Sequence, residues 1–226
     1  MNSQSSVRAA SIGVGLATGL YGISFGALSV AAGLDIWQTQ VLSLLMFSGG
    51  SQFAFVGVIA SGGVSAIPSA IVSAWLLGVR NGFYAIRMAP IVEASGFKRL
   101  VGAQLTIDES TAVALSREEG SEQRKDFWYT GIAVFVFWNL LTLVGAFAGG
   151  LIGNPERYGL DAAAAAAFVC LVWPRLKDLF TSLSAVLALA VAVVSSIWLP
   201  AGLPVVVAGL VVVAIANIFH RTEATK

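Results

Sequence analysis

Arg80 and Arg87 stand inside the apolar run AWLLGVRNGFYAIRMAP, where no acid accompanies them. They are seven residues apart, so a continuous helix carries both on one face. An arginine at the centre of a membrane helix costs about 2.5–3.5 kcal/mol on insertion scales, so it is expected to have a partner or a ligand. Asp108 and Glu109, in LTIDES, are candidate partners for one arginine, and a bound carboxylate is a candidate for the other. Arg87 is the better placed of the two to snorkel to an interface. A second chemical feature is FSGGSQF, residues Phe47 to Phe53, which interrupts an otherwise apolar run. Adjacent glycines cost about 1 kcal/mol each relative to alanine in a helix. Interrupted membrane helices free backbone amides and carbonyls to bind the charged ends of a solute. YGISFGAL, with Gly22, Ser24, Phe25 and Gly26, reads as a second interruption. All of this is binding chemistry rather than bond-making chemistry.

Enzyme readings find little support. His220 is the only histidine and Cys170 the only cysteine, which leaves no metal cluster and no intramolecular disulfide. GVGLATG lacks the strand–turn–helix setting of a dinucleotide loop, and no cofactor is expected. Of the 226 residues, 57% are hydrophobic and 11% charged, and mean hydropathy is +0.84. A soluble domain carries about 25% charged residues, so the bilayer must solvate most of this chain. Apolar–polar alternation in ten-residue units is missing, which argues against a barrel. The expected fold is therefore all-α: one integral membrane domain over 1–226, a polytopic bundle of about seven segments, some broken or re-entrant.

The candidate segments are 9–33, 37–61, 64–92, 127–152, 159–174, 179–199 and 203–219. The first reads as a span rather than a signal peptide. As one straight helix, 64–92 would run about 43 Å, beyond a hydrocarbon core of about 30 Å. Strong tilt or a break at Gly78–Arg80–Asn81–Gly82 is therefore expected, with the break slightly favoured, and a break would bring the N-terminus to the side of loop 93–126. That loop reads either as one or two short amphipathic helices on the cytoplasmic face or as a solvated connector. Its Lys98, Arg99, Arg117, Arg124 and Lys125, with Arg175, Lys177, Arg221 and Lys226, place it and the C-terminus in the cytoplasm. The GxxxG pairs Gly15–Gly19, Gly22–Gly26, Gly78–Gly82, Gly145–Gly149 and Gly149–Gly153 mark close helix approach. Asn139 reads as an interhelical hydrogen-bonding residue, Asp161 as a helix cap, and Cys170 as a small packing residue.

Six stretches together resemble the AzlC family of branched-chain amino acid exporters: GISFGALSVAAGL, LLMFSGGSQFAFVG, VRNGFYAIRMAP, LTIDESTA, FWNLLTLVGAFAGG and LDAAAAAAFVCLVWPRLK. They occur in the family's order and cover most of the chain. One departure is Asn81, which follows Arg80 where the family usually has histidine. The resemblance implies a large subunit that works with a small AzlD-type membrane protein in a bacterial inner membrane. It implies proton-driven efflux of leucine, isoleucine and valine, with methionine as a further substrate. On that reading Arg80 and the amides around Ser48, Gly49, Gly50 and Ser51 hold the substrate carboxylate, and Asn81 lines the site. Backbone carbonyls and Gln52 hold the ammonium, and Phe47, Phe53 and Phe55 line the side-chain pocket. Gly22, Ser24, Phe25 and Gly26 complete the site. Coupling falls to Asp35, Asp108, Glu109 or Asp161, with Asp108 the first choice and Glu109 beside it. The rival reading is a channel or a structural membrane subunit.

Overall fold

The computed structural model describes residues 3–117, 120–152, 169, 173, 176–199 and 203–224. The described residues hold helices and no strand. In order they are α1 (Ser3–Ala31), α2 (Ile36–Leu45), α3 (Gly50–Gly62), α4 (Ile67–Val92), α5 (Phe97–Gln104), α6 (Asp108–Leu115), α7 (Ser121–Ile152), α8 (Leu179–Ser195) and α9 (Leu203–Ala224). A short 3-10 turn, Gly63–Ala66, joins α3 to α4. Three stretches are long and apolar enough to cross a membrane: Arg8–Ala31, Gly50–Val92 and Ser121–Leu151. The second is not straight, because the 3-10 turn folds α3 back along α4. Ser51 then lies opposite Gly78, and Gly50 opposite Leu77 and Arg80.

α1 and α7 form the spine and run parallel. Arg8 meets Tyr129, Ser11 meets Thr130, Gly15 faces Ala133, and Gly149 faces Ala27. Small residues make this approach possible. A Cβ built on Gly22 would lie 2.8 Å from the Trp138 carbonyl oxygen, and one on Gly15 2.8 Å from the Ala133 carbonyl carbon. Gly26 and Gly145 are tighter still, each against backbone of the opposite helix.

The first six helices make two units of the same order and opposite direction. In the first, α1 is followed by a splayed hairpin. α2 leaves the end of α1 and packs on α7, and α3 returns along α4. Val58 and Ile59 of α3 belong to a cluster that Ala32 and Leu34, beyond the end of α1, pack against. In the second unit, α4 runs antiparallel to α1 and is followed by the hairpin of α5 and α6. Gly102 in α5 packs on Val92 and Trp128, and Leu105 at its tip packs on Gly131. The hairpins enter from opposite ends and their tips meet at the middle of α4. Gln104 of the second donates from Nε2 to the carbonyls of Leu44 (2.9 Å) and Leu45 (3.4 Å) of the first. Inverted repeats with interrupted helices at their junction are a transporter architecture.

Three expectations need correction. α1 is continuous through Gly22–Gly26, so YGISFGAL is a packing seam and not a break. α4 is continuous through Gly78–Gly82; the interruption lies in segment 37–61 instead. That interruption puts the N-terminal end of α1 on the side of residues 120–126, at the start of α7, so the parity holds for a different reason. Segment 93–126 is not a surface connector. It supplies α5, α6 and the turn between them, and Leu105 and Ile107 of the turn and Ala114 of α6 are buried in the core with Phe127 and Val134. Segment 159–174, with Asp161 and Cys170, lies outside the described residues apart from 169 and 173. Segments 179–199 and 203–219 contain α8 and α9; Asp178 caps α8 by accepting from the Thr181 amide at 2.8 Å.

Candidate functional site

α2 ends at Leu45, and the chain turns through Met46–Gly49 before α3 begins. Gly49 makes the turn with φ +54°, a left-handed value that costs a side chain about 1–2 kcal/mol. The break exposes one helix C-terminus and one helix N-terminus at the same level, with carbonyls and amides that lack intrahelical partners. Two glutamines meet the carbonyls. Gln52, fully buried, donates from Nε2 to Leu42 (3.2 Å) and Ser43 (3.4 Å). Gln104 takes Leu44 and Leu45. The amides at the start of α3 have no side-chain cap. The Ser48 hydroxyl donates to the Ser51 hydroxyl at 2.6 Å.

Arg80, at the midpoint of α4, lies beside those amides. Its Nη2 is 3.0 Å from Asp108 Oδ2 and 3.5 Å from the Ser48 carbonyl oxygen. The two charged side chains are 27% and 28% exposed, so the pair is sheltered and still reachable. A Cβ on Gly50 would lie 3.1 Å from the same Nη2, so this glycine leaves the guanidinium its place. Asp108 and Glu109 occupy the first turn of α6, where the helix dipole favours negative charge. Glu109 lies beside Thr18 of α1, with Arg80 and Asp108 within electrostatic reach. One polar centre is thus assembled from α1, both hairpins and α4.

The aromatic residues behave differently. Phe25 stacks on Trp138 and meets Phe53 edge-on at 5.7 Å, and Phe47 meets Phe135 edge-on at 5.0 Å. Phe25, Phe47, Phe53 and Trp138 are all buried, so they form a wall behind the centre. Within the described chain, the buried polar atoms Gln52 Oε1, Ser43 Oγ, Thr39 Oγ1, Trp138 Nε1, Asn139 Oδ1 and Arg80 Nε have no hydrogen-bond partner.

Of the residues singled out in the sequence, the structure brings together Ser48, Gly49, Gly50, Ser51, Arg80, Asp108 and Glu109. Gln52 faces the carbonyls of its own hairpin, and Asn81 is half-buried one position further round α4. Gly22 and Gly26 belong to the α1–α7 seam, and Ser24 is exposed on α1. Arg87 is exposed, as snorkelling requires. Asp35 caps α2 by accepting from the Gln38 amide at 2.7 Å, remote from Arg80. Asn139 donates to the Phe135 carbonyl of its own helix, while its backbone carbonyl accepts from Gln40 of α2 at 3.5 Å. Gln104, Thr18 and Trp138 were missed. The parallel between FSGGSQ and AQLTIDES, each a turn with a glutamine beside it, was the available signal for Gln104.

No curated protein and no solved structure matches the chain. A family model described as AzlC protein matches residues 13–152, which span α1 to α7 and every residue of this centre. LDAAAAAAFVCLVWPRLK lies beyond that match. With well over half its length covered, this membrane protein belongs to the AzlC family.

Proposed function

We propose that the chain is the large subunit of a secondary exporter of branched-chain amino acids. Leucine, isoleucine and valine are its substrates, with methionine a further one. It works with a small AzlD-type membrane subunit in a bacterial inner membrane, with residues 117–126 and the C-terminus in the cytoplasm. Membership of a membrane transport family supports transport, and the clustered Lys and Arg residues support the orientation. The observation that carries the reading is the Arg80–Asp108 pair at the junction of two opposed hairpins.

The chemistry follows from the parts. Arg80 and the uncapped amides of α3 bind the substrate carboxylate, since both place positive charge at one point. Asp108 and Glu109 are the acids that couple transport to the proton gradient. The hairpin tips separate the two ends of the bundle, and their parting on one side at a time gives alternating access. Gln52 already donates to the freed carbonyls, so those carbonyls are a poorer ammonium site than the open sequence implied.

Uptake of radiolabelled valine into inverted vesicles tests this. With the small subunit co-expressed and the interior acidified, valine is expected to accumulate above its external concentration, and collapse of the gradient is expected to release it. Equilibration without accumulation would make the protein a channel, and no uptake would leave it a structural subunit.

A further inference from the structure

We propose that the Arg80–Asp108 ion pair is itself the receptor for an α-amino acid zwitterion: the pair opens, the ligand carboxylate takes Arg80, and the ligand ammonium takes Asp108. The inference rests on the reading that the substrate is an amino acid, and it assigns both charged ends.

The two groups sit 3.0 Å apart on different elements, Arg80 on the long helix of the second unit and Asp108 on the hairpin tip that follows it. Separation of the pair therefore needs a small displacement of the tip, and no helix has to break. Arg80 has donor capacity to spare. Its Nη2 faces Asp108 and the Ser48 carbonyl, while its buried Nε has no partner within the described chain. Once Asp108 moves away, a planar guanidinium suits the two oxygens of a carboxylate. Gly50 leaves the space beside Nη2 clear of a side chain.

The energetics favour a zwitterion over a ligand with one charge. Removal of one partner from a sheltered ion pair strands the other charge, which is strongly unfavourable. A carboxylic acid would satisfy Arg80 and strand Asp108; an amine would do the reverse. An α-amino acid carries both charges on one carbon and replaces both partners at once. The pair thus holds the site closed when empty and rejects half-ligands.

The test uses the purified chain with its small subunit and three probes of equal skeleton: leucine, 4-methylpentanoate, which lacks the ammonium, and 3-methylbutylamine, which lacks the carboxylate. In the wild type both half-ligands are expected to bind weaker than leucine by roughly 10- to 100-fold. Asp108→Asn should weaken leucine by a similar factor and tighten 4-methylpentanoate. Arg80→Gln should weaken leucine and tighten the amine. A pair that only ties α4 to α6 moves all three ligands together, and that result would overturn the proposal. If a single variant does not fold, the wild-type comparison decides: half-ligands as tight as leucine would overturn it. Leucine binding without the crossover sinks this inference alone. A wild-type protein that binds no branched-chain amino acid sinks the exporter reading with it.

Discussion

YGISFGAL in α1 and FSGGSQF between α2 and α3 look alike in composition: two glycines, serine and an aromatic in an apolar run. They do opposite things. Gly22 and Gly26 are four apart and share one helix face, so the helix survives and α7 closes onto that face. Gly49 and Gly50 are adjacent and cannot share a face. Gly49 takes φ +54° in the turn just before α3, and Gly50 leaves room for Arg80. Spacing, more than glycine content, separates a packing seam from an interruption. The seam is closed on both sides by backbone, whereas the interruption is lined by polar groups and a sheltered ion pair.

Leucine in place of glycine probes this contrast at both places. Gly26→Leu has the largest expected effect, because its side chain would collide with the α7 backbone at Thr142. The loss should reach about 3 kcal/mol or more, read as failure to melt cooperatively in detergent. Gly50→Leu is expected to fold, since the nearest atom is the movable end of Arg80. It should weaken valine binding by about 2 kcal/mol with little change in melting temperature. Equal loss of stability in both variants would erase the distinction between the two stretches. Gln104→Leu comes next. It leaves the Leu44 and Leu45 carbonyls unmet at the tip contact and should cost about 1–2 kcal/mol of stability. Ser24→Ala is the smallest, expected within about 0.5 kcal/mol in stability, because Ser24 is exposed on α1. A large loss of valine binding in that variant would return α1 to the site.

Much of this was legible in the sequence. The charge deficit gave the helical membrane class, and the break at FSGGSQF followed from adjacent glycines. Pairing of an arginine with Asp108 followed from the cost of a lone mid-helix charge. The reversal of segment 93–126 did not follow, because hydropathy averages over its charges. In the structure those charges neutralise one another: Arg117 with Asp126 at 2.7 Å, Arg124 with Glu93, and Arg80 with Asp108. Once paired, they leave Leu105, Ile107 and Ala114 free to enter the core. The length argument for a break in 64–92 failed: the 3-10 turn takes up only its first residues, and α4 stays continuous at 26 residues, about 39 Å, still longer than a core of about 30 Å, a length that tilt accommodates. The tip-to-tip contact through Gln104 joins residues about sixty apart, a distance no local pattern spans.

The meeting of the two hairpin tips at the proposed substrate site can be measured directly. Leu45→Cys and Gln104→Cys, introduced together with Cys170→Ser, place two thiols where the Gln104 amide now reaches the Leu45 carbonyl. Mild oxidation or a short bifunctional thiol reagent is expected to link them rapidly in membranes. The cross-link should stop valine transport, and where it is a disulfide a reductant should restore it. Failure of the pair to cross-link, or full valine transport by the linked protein, would contradict a site built where the tips meet.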